Sequence, residues 1–182
     1  MTGPLRRRAL ALAPLALLAS PAQAAEKDWN TASDVAVGAL IAWSVGVPLV
    51  EGDEKGALQA GVSIAAAQGV AQLLKHTVRE TRPDGSDRQS FPSAHAATAF
   101  AAATSIYERR GAGEGIPALA LAGLTGLGRV EARRHHWHDV LAGAAIGGLS
   151  SLVLTHPARE RGMTLAAWGD TGGGGVSFTM GF

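Results

Sequence analysis

Five stretches of the chain, residues 35–50, 56–74, 91–107, 115–128 and 140–155, contain no Asp, Glu, Lys or Arg, and charged loops separate them. Taken together they are rich in alanine and glycine, and β-branched residues are sparse outside 35–50, so the pattern predicts helices rather than strands. Each also lies near the lower limit of the ~17–25 residues that cross a bilayer. Small residues suit close helix packing in lipid, and they suit a tight soluble bundle equally well. The expectation is an all-α single domain, a bundle of five or six helices. Residues 163–182 read differently. A four-glycine run lies between two short apolar stretches, and Val176, Phe178, Met180 and Phe182 alternate, which predicts a short Gly-rich hairpin or tail.

The loops at 75–93 and 129–139 hold or adjoin five of the six histidines. Two apolar segments lie between them, and an up-and-down helix pair returns the chain to the end it left. Both loops are therefore expected at one end of the bundle. The start of the chain combines Arg6–Arg8, an apolar run and the small-residue ending Ala22-Gln23-Ala24. Residues 1–24 thus read as a signal peptide or a first transmembrane helix, and either one places the two-loop end outside the cytoplasm. Residues 25–162 would form the helical domain and 163–182 the tail.

Composition narrows the function. The 182 residues carry 16 Lys+Arg against 15 Asp+Glu, a formal charge of +1, and cleavage after Ala24 would leave 13 against 15. Neither balance gives the basic footprint of a nucleic-acid binder. There is no cysteine, which excludes disulfides and thiolate metal sites. The chain is 47% hydrophobic with a mean hydropathy of +0.13, apolar for a soluble protein and low for a membrane protein.

Three motifs carry the candidate chemistry: "KHTVRETRP", with Lys75 and Arg82-Pro83; "FPSAH", with Pro92, Ser93, Ala94 and His95; and "GRVEARRHHWHD", with Arg129, His135 and Asp139. On a helix His135 and Asp139, at i and i+4, would share one face. A carboxylate bonded to Nδ1–H fixes the tautomer and leaves Nε2 free to attack. A metal site from His135, His136 and His138 is the competing reading. Neighbouring histidines on a helix point about 100° apart, which makes that arrangement awkward, and His136 and His138 are taken as incidental neighbours. A merely solvated polar turn is a third reading. Ser93 is a natural N-cap for the helix that follows, and a helix N-terminus offers free N–H groups to an anion.

Taken together, the three motifs resemble the type 2 phosphatidic acid phosphatase superfamily, which includes bacterial acid phosphatases and lipid phosphate phosphatases and shares its site with vanadium haloperoxidases. The resemblance covers residues 75–139. It implies that His95 is the general acid, that His135 is the nucleophile supported by Asp139, and that Lys75, Arg82 and Arg129 bind phosphate with the Ser93–Ala94 turn. Fixed cations suit a transferring phosphoryl group, whose charge spreads over three oxygens. Two positions depart from the pattern: Ala94 replaces the usual glycine, and Gly128 replaces the serine before the arginine. Arg79, Arg88, Arg133 and Arg134 are expected at the rim.

The implied function is metal-independent hydrolysis of a phosphate ester through a phosphohistidine. No metal or cofactor is expected. The expected partners are the membrane and a phosphorylated lipid of the phosphatidic acid or polyprenyl diphosphate type, with the site facing the periplasm. A soluble periplasmic acid phosphatase acting on small phosphate esters is the near alternative. A haloperoxidase, for which the chain is short, and a non-catalytic envelope protein are remote ones.

Overall fold

The computed structural model describes residues 21–157, 163–170 and 173–180. Residues 1–20, most of the expected leader, lie outside the described residues. Helix α1 (Pro21–Ile41) continues through a π turn (Ala42–Gly46) into α2 (Val47–Val50). Pro48 has no N–H to give the carbonyl four residues back, and the wider turn lies where that bond would form. Helix α3 (Glu54–Thr77) is capped by Asp53, whose side chain accepts from the Gly56 N–H at 2.9 Å. Helix α4 (Ala94–Arg110) is followed almost at once by α5 (Ala112–Glu131), because Gly111 adopts φ 77°, where glycine carries no penalty. Helix α6 (Trp137–Leu154) closes the bundle.

The tail forms a hairpin. Strands β1 (Met163–Asp170) and β2 (Gly173–Met180) pair antiparallel, with Leu165 opposite Phe178 and Ala167 opposite Val176. Phe182 lies outside the described residues. The helices run past the charge-free stretches at several ends: α4 takes in Arg109 and Arg110, and α5 takes in Arg129. A charge-free window misses these residues because basic side chains are favoured in a last helical turn.

Helix α4 is the centre. It packs on α1, α3, α5 and α6, and its buried side chains are mostly alanines: Ala96, Ala97, Ala99, Ala101, Ala102 and Ala103. Helix α6 meets it without side chains between them. A Cβ on Gly143 would stand 2.3 Å from the Ser93 carbonyl oxygen, and one on Gly147 would stand 2.1 Å from that of Ala97. Further along, the hydroxyls of Ser63, Ser105, Ser151 and Thr155 form a buried ladder, with separations of 2.6–3.2 Å, that joins α3, α4 and the end of α6. Large side chains point the other way. Val50, Leu58, Leu73, Leu141, Leu149 and Val153 are all more than half exposed. Water would drive such groups inward, so this inside-small, outside-large distribution suits a lipid surround. Three described helical stretches are long and apolar enough to cross a membrane: Ala25–Val50, Glu54–Thr77 and Trp137–Leu154.

The glycine seam gives a matched test. Gly147→Ala must force α4 and α6 apart and should lower stability by about 1–3 kcal/mol. Gly69, whose added Cβ would meet nothing within 4 Å, should accept alanine with a gain of about 0.5–1 kcal/mol. Thermal unfolding of both variants in detergent micelles checks the pair; equal shifts would mean that the seam does not set the packing.

Candidate active site

The two histidine-bearing loops meet at the end of the bundle where α3 and α5 finish and α4 and α6 begin. The Asp84 N–H donates to the Arg133 carbonyl at 3.1 Å, and Arg82 Nη1 donates to the Arg134 carbonyl at 3.0 Å. Arg133 turns the chain out of α5 with φ 53°. His135, buried at 2% exposure, lies in that turn and not on α6.

This placement changes the expected support of His135. Its Nδ1 donates to the Ser90 carbonyl oxygen at 2.8 Å, whereas Asp139 Oδ2 stands 3.7 Å away. The helical i, i+4 geometry does not apply, because His135 precedes the first residue of α6. Asp139 instead accepts from Ser90 Oγ at 2.5 Å and from the His136 backbone N–H at 2.8 Å, both through Oδ2. Ser90 thus stands between the two: its carbonyl fixes the imidazole and its hydroxyl holds the carboxylate. With Nδ1 carrying the proton, the Nε2 lone pair faces the Arg82 guanidinium, at 3.5 Å from Nη1. Burial pushes the His135 imidazole well below the usual histidine range, and Arg82, Lys75 and Arg129 push the same way against Asp139. The ring is held neutral, with Nε2 unprotonated.

Three cations lie at this end of the bundle, and the charge of each acts on His135. Lys75, at the end of α3, is buried and donates to the carbonyls of Gln89 at 2.6 Å and Ser90 at 3.4 Å. Arg82 is braced by Asp87 at 2.7 Å. Arg129, in the last turn of α5, is buried, and its Nη1 reaches Asn30 at 2.8 Å, Ser33 at 3.2 Å and Asp34 at 3.3 Å on α1. Its Nε has no hydrogen-bond partner among the described residues. On the α4 side Ser93 caps the helix by accepting from the Ala96 N–H at 3.3 Å, and its own N–H donates to the Asp139 carbonyl at 3.0 Å. The N–H groups of Ala94 and His95 open the first turn and have no partner within the helix. His95 Nε2 lies 2.9 Å from Asp34 Oδ1. The eight expected residues therefore gather at one end of the bundle: His135, Arg82, Lys75, Asp139 and Ser93 are linked through Ser90 and one another, Arg129 and His95 meet at Asp34, and Ala94 opens α4 beside them.

A model of the PAP2 superfamily matches residues 56–162. The chain belongs to that superfamily. A lipid A 1-phosphatase of Porphyromonas gingivalis is 37% identical over 89 residues, which is 47% of this chain and 20% of that protein. The match thus spans one fifth of the relative's length. The crystal structure of Aquifex aeolicus LpxE shares the fold, with a TM-score of 0.61 at 21% identity over 70% of this chain and 83% of that one.

The two departures from the PAP2 motifs have local explanations. Ala94 is the first residue of α4 and carries no positive φ, so a side chain there costs no backbone strain. At Gly128 a Cβ would stand 3.1 Å from Ser33 Cβ and 3.2 Å from the Trp29 carbonyl oxygen. The space is filled from α1, whose Ser33 hydroxyl bonds the neighbouring Arg129. Asn30, Ser33, Asp34 and Ser90 were not among the residues singled out by sequence. Asn30, Ser33 and Asp34 do carry a signal, since their i, i+3, i+4 spacing puts three polar groups on one face of a helix. Ser90 carries none, because its carbonyl could belong to any residue type.

A tautomer held by Ser90 should tolerate Asp139→Asn. The amide keeps an acceptor for Ser90 Oγ and the His136 N–H. The loss in kcat/KM should stay near 10²-fold, well short of the ~10⁴-fold seen where an aspartate alone fixes the histidine tautomer. Steady-state kinetics of the purified variant on an aryl phosphate decide this. A 10⁴-fold fall would mean that Asp139 bonds His135 directly during turnover.

Proposed function

We propose that this chain is a metal-independent phosphatase of the bacterial envelope that removes phosphate from a membrane lipid through a phosphohistidine on His135. The observation that carries the reading is the geometry of His135. Its Nδ1–H is tied to Ser90, which leaves the Nε2 lone pair facing the Arg82 guanidinium, and the charges of Lys75 and Arg129 also act on the ring. A phosphate bound beside Nε2 would meet these cations, and the open first turn of α4 offers an anion further N–H donors. Nε2 forms a bond to phosphorus as the ester P–O bond breaks. The departing oxygen takes a proton from His95. Water then attacks the phosphohistidine, His95 accepts its proton, and phosphate leaves with His135 restored. The three cations supply the charge stabilisation that metal ions supply elsewhere.

The outward-facing leucines and valines and the three long apolar helices favour a lipid substrate presented at the membrane surface. The Porphyromonas relative, a lipid A 1-phosphatase, points to the same class of substrate, a lipid phosphate. The leader-like residues 1–24 support a site that faces the periplasm.

The two histidines should separate by leaving group. His135→Ala should abolish turnover of every substrate. His95→Ala removes only the acid, which typically contributes ~10²–10⁴-fold. An alkyl or lipid phosphate, leaving as a poor alkoxide, should lose most of that factor, and an aryl phosphate should lose little. The readout is kcat/KM for both variants on both substrates, with EDTA present throughout. Equal damage to the two substrates by His95→Ala would assign His95 to phosphate binding.

Membrane insertion has its own test. The protein should stay in the pellet after alkaline carbonate extraction of membranes and need detergent for release. Active enzyme in an osmotic-shock fluid would favour the soluble alternative.

A further inference from the structure

His136 and His138 meet Glu80, from the loop after α3, beside Asp139. His136 is the residue before α6 and is extended (φ −80°, ψ 163°), so it escapes the 100° helical offset that would separate its ring from that of His138. The two rings stack, with centroids 5.2 Å apart and planes 10° from parallel. We propose that Glu80, His136, His138 and Asp139 form a binding site for one divalent transition-metal ion of the zinc class, which clasps the 80s loop to the start of α6.

One ligand atom from each residue lies within 4.8 Å of all the others. Tetrahedral zinc, with bonds of about 2.0–2.1 Å, sets its ligand atoms about 3.3–3.4 Å apart. The Asp139 oxygen free among the described residues is Oδ1, and His138 Nε2 stands 3.3 Å from it, while His136 Nδ1 stands 3.4 Å from Glu80 Oε1. A third separation, His138 Nε2 to Glu80 Oε1, is 2.7 Å, a hydrogen bond that must open by about 0.6 Å to reach that spacing.

A second observation is independent of these separations. Asp139 Oδ1 is fully buried and has no hydrogen-bond partner among the described residues, while Oδ2 is occupied by Ser90 and the His136 N–H. An unpaired buried carboxylate oxygen is costly, and this one points into the cluster, where a cation would satisfy it. Two imidazole nitrogens and two carboxylate oxygens suit zinc or its neighbours; magnesium prefers an all-oxygen shell. His138, 59% exposed, leaves the site open to solvent for entry.

The test uses the full-length protein in detergent, stripped with a chelator and titrated with Co²⁺. One equivalent should bind with the intense visible absorption of four-coordinate cobalt, be displaced by one equivalent of Zn²⁺ and be unaffected by Mg²⁺. Zn²⁺ should also raise the unfolding temperature of the stripped protein. Glu80→Gln and His138→Ala should each weaken Zn²⁺ binding at least tenfold and abolish the thermal shift, while His76→Ala, a histidine outside the cluster, should change neither. A six-coordinate cobalt spectrum, or stoichiometric binding that survives both cluster variants, overturns the proposal. The binding readouts do not depend on the phosphatase reading. Turnover of the stripped protein is scored separately and bears only on whether the pocket works without metal.

Discussion

The backbone-to-backbone seam between α4 and α6 sets the geometry of everything else. Gly143 and Gly147 let α6 settle against the carbonyls of Ser93 and Ala97 with no side chain between them, so the register of the two helices is fixed by main-chain contact. Both helices begin at the same end of the bundle. One brings Ser93, Ala94 and His95, and the other brings Asp139 with His135 just ahead of it. The Ser93 N–H to Asp139 carbonyl bond pins the two starts together at 3.0 Å. Backbone atoms have no rotamers, which makes this a rigid base for chemistry that tolerates little displacement.

The same choice of small residues explains how the interior is held. Alanines give α4 little apolar area to bury, so the hydroxyl ladder of Ser63, Ser105, Ser151 and Thr155 contributes directional bonds that alanines cannot. In hydrocarbon, where exposed leucines cost nothing, such polar contacts and close packing take over the work that burial does in water. The seam fixes α6 near the site, and the ladder fixes it at the far end.

Much of the arrangement was legible in the sequence because its signals are local. Charge-free alanine-rich runs marked the helices, and three short motifs at helix ends marked the residues that the structure gathers. What escaped was long-range or backbone in nature. No sequence pattern ties Arg129 to Asn30 and Asp34, nearly a hundred positions away. The spacing of His135 and Asp139 suggested a shared helical face, yet the turn at Arg133 takes His135 off the helix and gives its Nδ1 proton to a carbonyl. Glu80 carries no local signal, and only the fold brings it to His138.

Helix α1 lies ahead of the segment that matches the PAP2 model, yet among the described residues it supplies the side chains that bond Arg129. The aim of that guanidinium is therefore set from outside the motif region, by a helix whose own tilt depends on its surroundings. Any tilt of α1 against α5 would thus reach Arg129 through Asn30, Ser33 and Asp34.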